Sequence, residues 1–124
     1  MFIRYKGNIF NHDRITRVYV DKSFNLYFGN EHGARTYCVM LEIAGEPEFY
    51  HGEYYKNHIA RAVTEERAGA EWEFICNRLV DRIYDALTKE ENFDIGAWLN
   101  AMPELPGKSI GERYNEVHKN DNLT

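Results

Sequence analysis

The sequence predicts an α+β fold: an N-terminal antiparallel β-meander of four to six strands, covered by a long amphipathic helix and followed by a short helical C-terminal tail. Two hydrophobic periods, one in each half of the chain, support this prediction. In residues 1–56 apolar and polar side chains alternate, as in strands with one buried face. In residues 72–87 apolar side chains recur every three or four positions, which is typical of an amphipathic helix. The 124 residues have the length of a single domain, so we treat residues 1–124 as one.

Four runs near the start of the chain indicate extended structure. Residues 2–6 alternate in polarity and stop at Gly7, and residues 9–10 form a short extended piece. Residues 15–20 are rich in β-branched and aromatic side chains, and residues 24–28 alternate again. The last two runs therefore predict a β-hairpin.

The loop of this hairpin decides which side chains share a face of the sheet. A three-residue loop through residues 21–23 pairs Val20 with Phe24, whereas a two-residue loop at residues 21–22 turns Arg17 toward the core. We expect the three-residue loop, because it leaves the Arg17 guanidinium in solvent.

Two more strands are predicted before residue 56. Residues 36–43 alternate regularly, and their apolar side chains on one face are Tyr37, Val39, Leu41 and Ile43. After a turn at residues 44–47, residues 49–55 are expected to form the final strand, with a bulge at Gly52.

The long helix is predicted over residues 57–89. Asn57 is a suitable N-cap, and Ile59 and Val63 have the spacing of inward-facing helical residues. Gly69 interrupts the pattern at a cost of about 1 kcal/mol relative to alanine, so a short helix followed by a main helix is the alternative. We expect one helix.

Residues 93–119 are predicted to form the helical tail. Asp94 can cap a short helix that carries Trp98 and ends at Pro103. Ser109 and Glu112 have the spacing of a capping box and indicate a last helix.

Composition excludes several classes of function. The net charge is −5, and the entire acidic excess lies after residue 56, so general nucleic-acid binding is disfavoured. No apolar run reaches the roughly 18 residues of a membrane span, and the start of the chain does not resemble a signal peptide. Cys38 and Cys76 stand alone and are expected to be reduced packing residues. We therefore expect a cytoplasmic protein that binds neither membranes nor nucleic acids in general.

The sequence contains no recognisable catalytic motif. It has no G-x-S-x-G, no H-E-x-x-H and no phosphate-binding glycine loop. His51, Glu53 and His58 are the most metal-like grouping, but the P-C-x-x-C that accompanies H-x-E in zinc deaminases is absent. We predict no metal, no cofactor and no enzymatic activity, and a metal-dependent enzyme remains the third choice.

The predicted function is non-enzymatic binding of a partner protein. The main helix places Phe74 on its polar side, where it needs a partner: the tail helix with Trp98 could cover it within the chain, or a symmetry-related subunit could. Acidic side chains on this half of the chain suit a partner with a basic surface. The predicted partner-binding residues are Glu65, Glu66, Glu73, Phe74, Asp81 and Asp85. Small size, acidity and the nine tyrosines suit a bacterial or phage inhibitor of the immunity or anti-defence type, which we expect to be a homo-oligomer.

The alternative function is binding of a small phosphorylated nucleotide by an oligomer. Guanidinium and phenol groups on the outward face of the meander suit a phosphate and a base, although such a face is commonly only solvated. The candidate ligand-binding residues are Arg4, Arg17, Tyr19, Tyr27 and Arg35.

Overall fold

The computed structural model describes residues 1–24, 35–45, 48–50, 53–55 and 58–118. Its strands are β1 Phe2–Tyr5, β2 Asn8–Asn11, β3 Ile15–Phe24, β4 Arg35–Ala44, β5 Glu48–Tyr50, β6 Glu53–Tyr55, β7 His58–Ala62, β8 Arg67–Ala68, β9 Phe93–Asp94 and β10 Lys108–Ser109. Its α-helices are α1 Ala70–Thr88, α2 Ile95–Asn100 and α3 Ile110–His118. Antiparallel sheets precede a helix that packs on them, and a short helix follows, so the predicted α+β fold is confirmed.

The central sheet is built on the long antiparallel pair of β3 and β4. The predicted hairpin turn at residues 21–23 is wrong, because these residues continue β3 and lie opposite residues 36–38 of β4. Val20 consequently pairs with Val39 and not with Phe24. The pair is held at this end by a polar contact, since the Ser23 and Thr36 hydroxyls lie 3.0 Å apart. Residues 25–28 lie outside the described residues.

The prediction of a helix from residue 57 is also wrong. Residues 58–62 form β7, which pairs antiparallel with β4 and places Ile59 opposite Ile43. Strand β8 continues along the same edge of β4, and α1 begins only after Gly69, whose φ is +118°. Pairing satisfies the backbone groups of β4 that a helix would have left open. The predicted cap, Asn57, lies outside the described residues.

The predicted single strand over residues 49–55 is replaced by two. Strands β5 and β6 pair with each other as a short antiparallel ribbon. Gly52, the predicted bulge, lies between them and outside the described residues.

The core lies between α1 and the sheet. The buried side of α1 carries Trp72, Cys76, Leu79, Ile83 and Ala86, which pack with Val39, Leu41 and Val63. The indole Nε1 of Trp72 donates to the Tyr37 carbonyl at 2.9 Å, so the largest core side chain also ties the helix to β4. Among the described residues, no helix combines the length and apolarity that a membrane crossing requires.

A smaller sheet joins strands β1 and β2 to the segment that follows α1. Strand β1 pairs antiparallel with β2 and parallel with β9, which places Ile3 opposite Phe93. The predicted caps that follow are confirmed: the Asp94 carboxylate accepts from the Ala97 amide at 3.0 Å, and the Ser109 hydroxyl accepts from the Glu112 amide at 3.2 Å.

Candidate functional site

A groove runs along the side of α1 that faces away from the sheet. Its walls enclose about 380 Å³, and we call it the outer groove; it is lined by Phe74, Arg78, Asp81, Arg82, Asp85 and Trp98. A second hollow of about 490 Å³ shares Arg78 and Trp98 with it and extends past Met102 and Pro103. The two hollows therefore lie next to each other, between α1 and the segment that carries α2.

The period of α1 explains why these residues share a face. Positions 74, 78, 81 and 85 are three or four residues apart and form a stripe opposite the buried side chains. Phe74 is 59% exposed, which is unusual for a phenylalanine on a helix with a complete buried face. The Arg78 guanidinium lies 5.7 Å from the centre of its ring. Trp98 lines the same groove but leaves most of Phe74 exposed.

The charges of the outer groove differ in how firmly they are held. The Arg82 guanidinium lies 4.6 Å from the Phe93 ring centre and 3.8 Å from the Glu91 carboxylate. Asp81 and Asp85 are exposed, and no ion pair engages them within the described part of the chain. Arg78 is exposed as well but lies against the Phe74 ring, so the two aspartates are the groove charges that have no such contact among the described residues.

The other predicted partner-binding residues lie elsewhere. Glu66 accepts hydrogen bonds from the hydroxyls of Ser23, at 2.7 Å, and Thr36. Glu73 pairs with Lys22 at 3.4 Å, and Glu65 pairs with Arg67 at 2.8 Å. The structure thus brings together Phe74, Asp81 and Asp85 and gives the three glutamates contacts within the chain.

The residues of the predicted nucleotide site are separated. Arg17 lies 4.2 Å from the ring centre of Tyr19, on the sheet face away from α1, and pairs with Glu42 at 3.5 Å. Arg4 belongs to β1 in the smaller sheet. Arg35 shares the opposite face of β4 with Tyr37. Tyr27 lies outside the described residues.

A cavity that sequence reasoning missed lies beside the first turn of α1. We call it the basic cavity; it encloses about 750 Å³ and is lined by Arg35, Tyr37, Ala68, Gly69, Ala70, Glu71, Gly107, Lys108 and Arg113. These residues come from widely separated parts of the chain, and only the pairing of β8 with both β4 and β10 brings them together. The sequence contains no local signal for this cavity.

Both cysteines are free and buried, as predicted for packing residues. Burial raises the pKa of the Cys38 thiol to about 11, with the Asp21 and Glu66 carboxylates adding to the effect. Burial likewise raises the pKa of Cys76 to about 12. Both thiols stay protonated at neutral pH, which makes them poor nucleophiles.

No group of three or more histidine, cysteine or acidic side chains with metal-binding geometry occurs among the described residues. His51 and the side chains of Glu53 and His58 lie outside them, so the expectation of no metal stays a prediction.

No protein-family model, curated protein or solved structure matches the chain.

Proposed function

We propose that the chain is a non-enzymatic binding protein that binds a partner protein through the outer groove and acts by covering the partner's surface. The exposed ring of Phe74 carries this proposal: it lies opposite the core-facing side of α1, next to Trp98 and between charged side chains. Aromatic anchors surrounded by polar groups are typical of binding hot spots. An inhibitor of the bacterial or phage immunity or anti-defence type acts in this way, by occupation.

The charge of the partner follows from the groove's accessible carboxylates. Asp81 and Asp85 lie about two and three turns after Phe74 on the same stripe of α1, so a partner with basic side chains on one side of an apolar pocket is the complementary surface. Arg82 already contacts Glu91 and Phe93, and Arg78 lies against the Phe74 ring, so we assign the attraction of a charged partner to the two aspartates.

Site-specific photocrosslinking tests this proposal. A photoreactive residue at exposed position 77, beside Phe74 on α1, is expected to yield a discrete crosslinked protein in producing cells. The crosslink is expected to disappear in Phe74→Ala and in Asp81→Lys/Asp85→Lys. It is expected to persist in the matched charge reversal Glu90→Lys/Glu112→Lys, which alters exposed acids outside the groove.

Two results would contradict the proposal. If the crosslink persists in Phe74→Ala and in Asp81→Lys/Asp85→Lys, the partner contacts a surface other than the outer groove. A crosslinked mass of twice the chain, with Phe74→Ala converting a dimer to a monomer in light scattering, would make the groove a contact between copies. The expected homo-oligomer instead keeps its mass in Phe74→Ala.

A further inference from the structure

The basic cavity is formed where three strands end side by side. Strand β8 pairs with β4, so that Tyr37 lies opposite Arg67, and with β10, so that Ser109 lies opposite Arg67. This pairing carries Arg35 at the start of β4 and Lys108 at the start of β10 to the first turn of α1. Arg113 reaches the same space from α3.

Gly107 allows this close approach. Its φ is +80°, and a Cβ built there would meet the Ala68 carbonyl oxygen at 2.6 Å and the Trp72 Cβ at 2.7 Å. Any other residue would push the chain, and Lys108 with it, away from α1. The Arg67 guanidinium donates to the Gly107 carbonyl at 3.3 Å and holds the segment in place.

The lining of the cavity is electropositive. Its charged residues among those described are three cations, Arg35, Lys108 and Arg113, and the carboxylate of Glu71. Glu116 pairs with both Lys108 and Arg113, the latter at 3.8 Å, so it holds the two cations near each other and competes with an incoming anion for them. Gly69 gives α1 no side-chain cap, so the positive end of the helix dipole adds to the field of the three side chains.

We propose that the basic cavity binds a small phosphorylated molecule, whose phosphate oxygens are contacted by Arg35, Lys108 and Arg113. Guanidinium groups donate in a fork that matches phosphate oxygens, and a lysine adds a point charge. The volume of about 750 Å³ lies within the range of nucleotide-sized ligand sites. This site is separate from the outer groove and does not depend on the proposed function.

Two features of the lining add detail. Tyr37 lines the cavity together with Arg35, and burial, followed by the hydrogen bond and charge of Glu73, raises the pKa of its hydroxyl, which therefore stays neutral at pH 7. Glu71 places a negative charge in the same space, so it opposes an anionic ligand. Phosphate binding is therefore expected to strengthen when Glu71 is neutralised.

Calorimetric titration of the full chain with inorganic pyrophosphate tests the proposal, with ionic strength held constant by sodium chloride. We expect saturable binding that Arg35→Gln or Arg113→Gln weakens about 10-fold, the loss of one charge-assisted contact. Arg17→Gln is the matched control, since it removes an arginine from the far face of the sheet and is expected to leave binding unchanged.

Glu71→Gln keeps the test decisive if an arginine variant folds poorly. It is expected to tighten pyrophosphate binding severalfold, and a gain of affinity cannot arise from unfolding. Absence of saturable binding, equal weakening by Arg17→Gln, or no gain in Glu71→Gln would each overturn the proposal. Phe74→Ala is expected to bind pyrophosphate normally, which separates this site from the outer groove.

Discussion

The two sides of α1 differ in what their side chains contact. On the inner side Trp72, Cys76, Leu79, Ile83 and Ala86 are almost completely removed from solvent. On the outer side Phe74 stands exposed among arginines and aspartates. The inner residues are explained by the core they fill, whereas nothing in the described part of the chain requires an aromatic ring at position 74. The difference indicates that one helix serves stability on one side and recognition on the other.

Truncation of the inner side is expected to have the largest effect. Leu79→Ala leaves a cavity in a fully buried site, which costs about 2 to 5 kcal/mol of unfolding free energy. Urea denaturation followed by circular dichroism measures this loss. A loss below about 1 kcal/mol would mean that the inner side is less tightly packed than the structure indicates.

Loss of the indole hydrogen bond comes next. Trp72→Phe removes the Nε1 donor to Tyr37 and leaves a buried carbonyl without that partner, at a cost of about 1 to 3 kcal/mol. Trp98→Phe is the matched control in the half-buried outer groove and is expected to cost less. Equal losses of unfolding free energy in the two variants, measured by the same denaturation, would contradict the proposed difference between the buried and the outer side of α1.

The inner side also carries a pH dependence. The unfolded Cys76 thiol ionises near its ordinary pKa of 9.0, while the folded thiol keeps its proton up to about 12. The contribution of the Cys76 thiol to the unfolding free energy is therefore fully present below pH 9 and is lost as the pH rises from 9 toward 12. Cys76→Ala is expected to lose less unfolding free energy than the parent between pH 8 and pH 10.5, and an identical loss would contradict the assigned pKa.

The outer side is expected to show the smallest effect on stability. Phe74→Ala removes a ring that is mostly in solvent, so the unfolding free energy should change by no more than about 0.5 kcal/mol. Thermal or urea unfolding checks this value. A loss of unfolding free energy above about 1 kcal/mol would show that the Phe74 ring packs within the chain and is not available to a partner.

Local pattern predicted the parts of the fold in which one period dominates. The alternation of residues 36–43 and the helical spacing of residues 72–87 both correspond to observed elements, β4 and α1. Residues 58–63 were misread because Ile59, Ala62 and Val63 have helical spacing, whereas their conformation is set by the edge of β4. A period of three or four over six residues does not exclude a strand when an unpaired edge is nearby.

The candidate site divides in the same way. Phe74 was found from sequence because it breaks the polar side of a helix, which is a local signal. The basic cavity was not, because its cations belong to β4, β10 and α3 and meet only through β8. Arg35 was predicted to share a site with Arg17. Arg17 instead lies opposite Glu42, and Glu42 and Arg35 point to opposite faces of β4.

The parallel pair of β1 and β9 has a consequence for biosynthesis. The Phe2 amide donates to the Asn92 side chain at 3.0 Å, and Ile3 lies opposite Phe93. A nascent chain cannot form this pair until residue 94 has left the ribosome. Until then the β1–β2 pair has an unpaired strand edge, and the apolar side chain of Ile3, which is fully buried in the finished fold, is exposed. Strand β1 thus reaches its final contacts only after the whole of α1 has been synthesised.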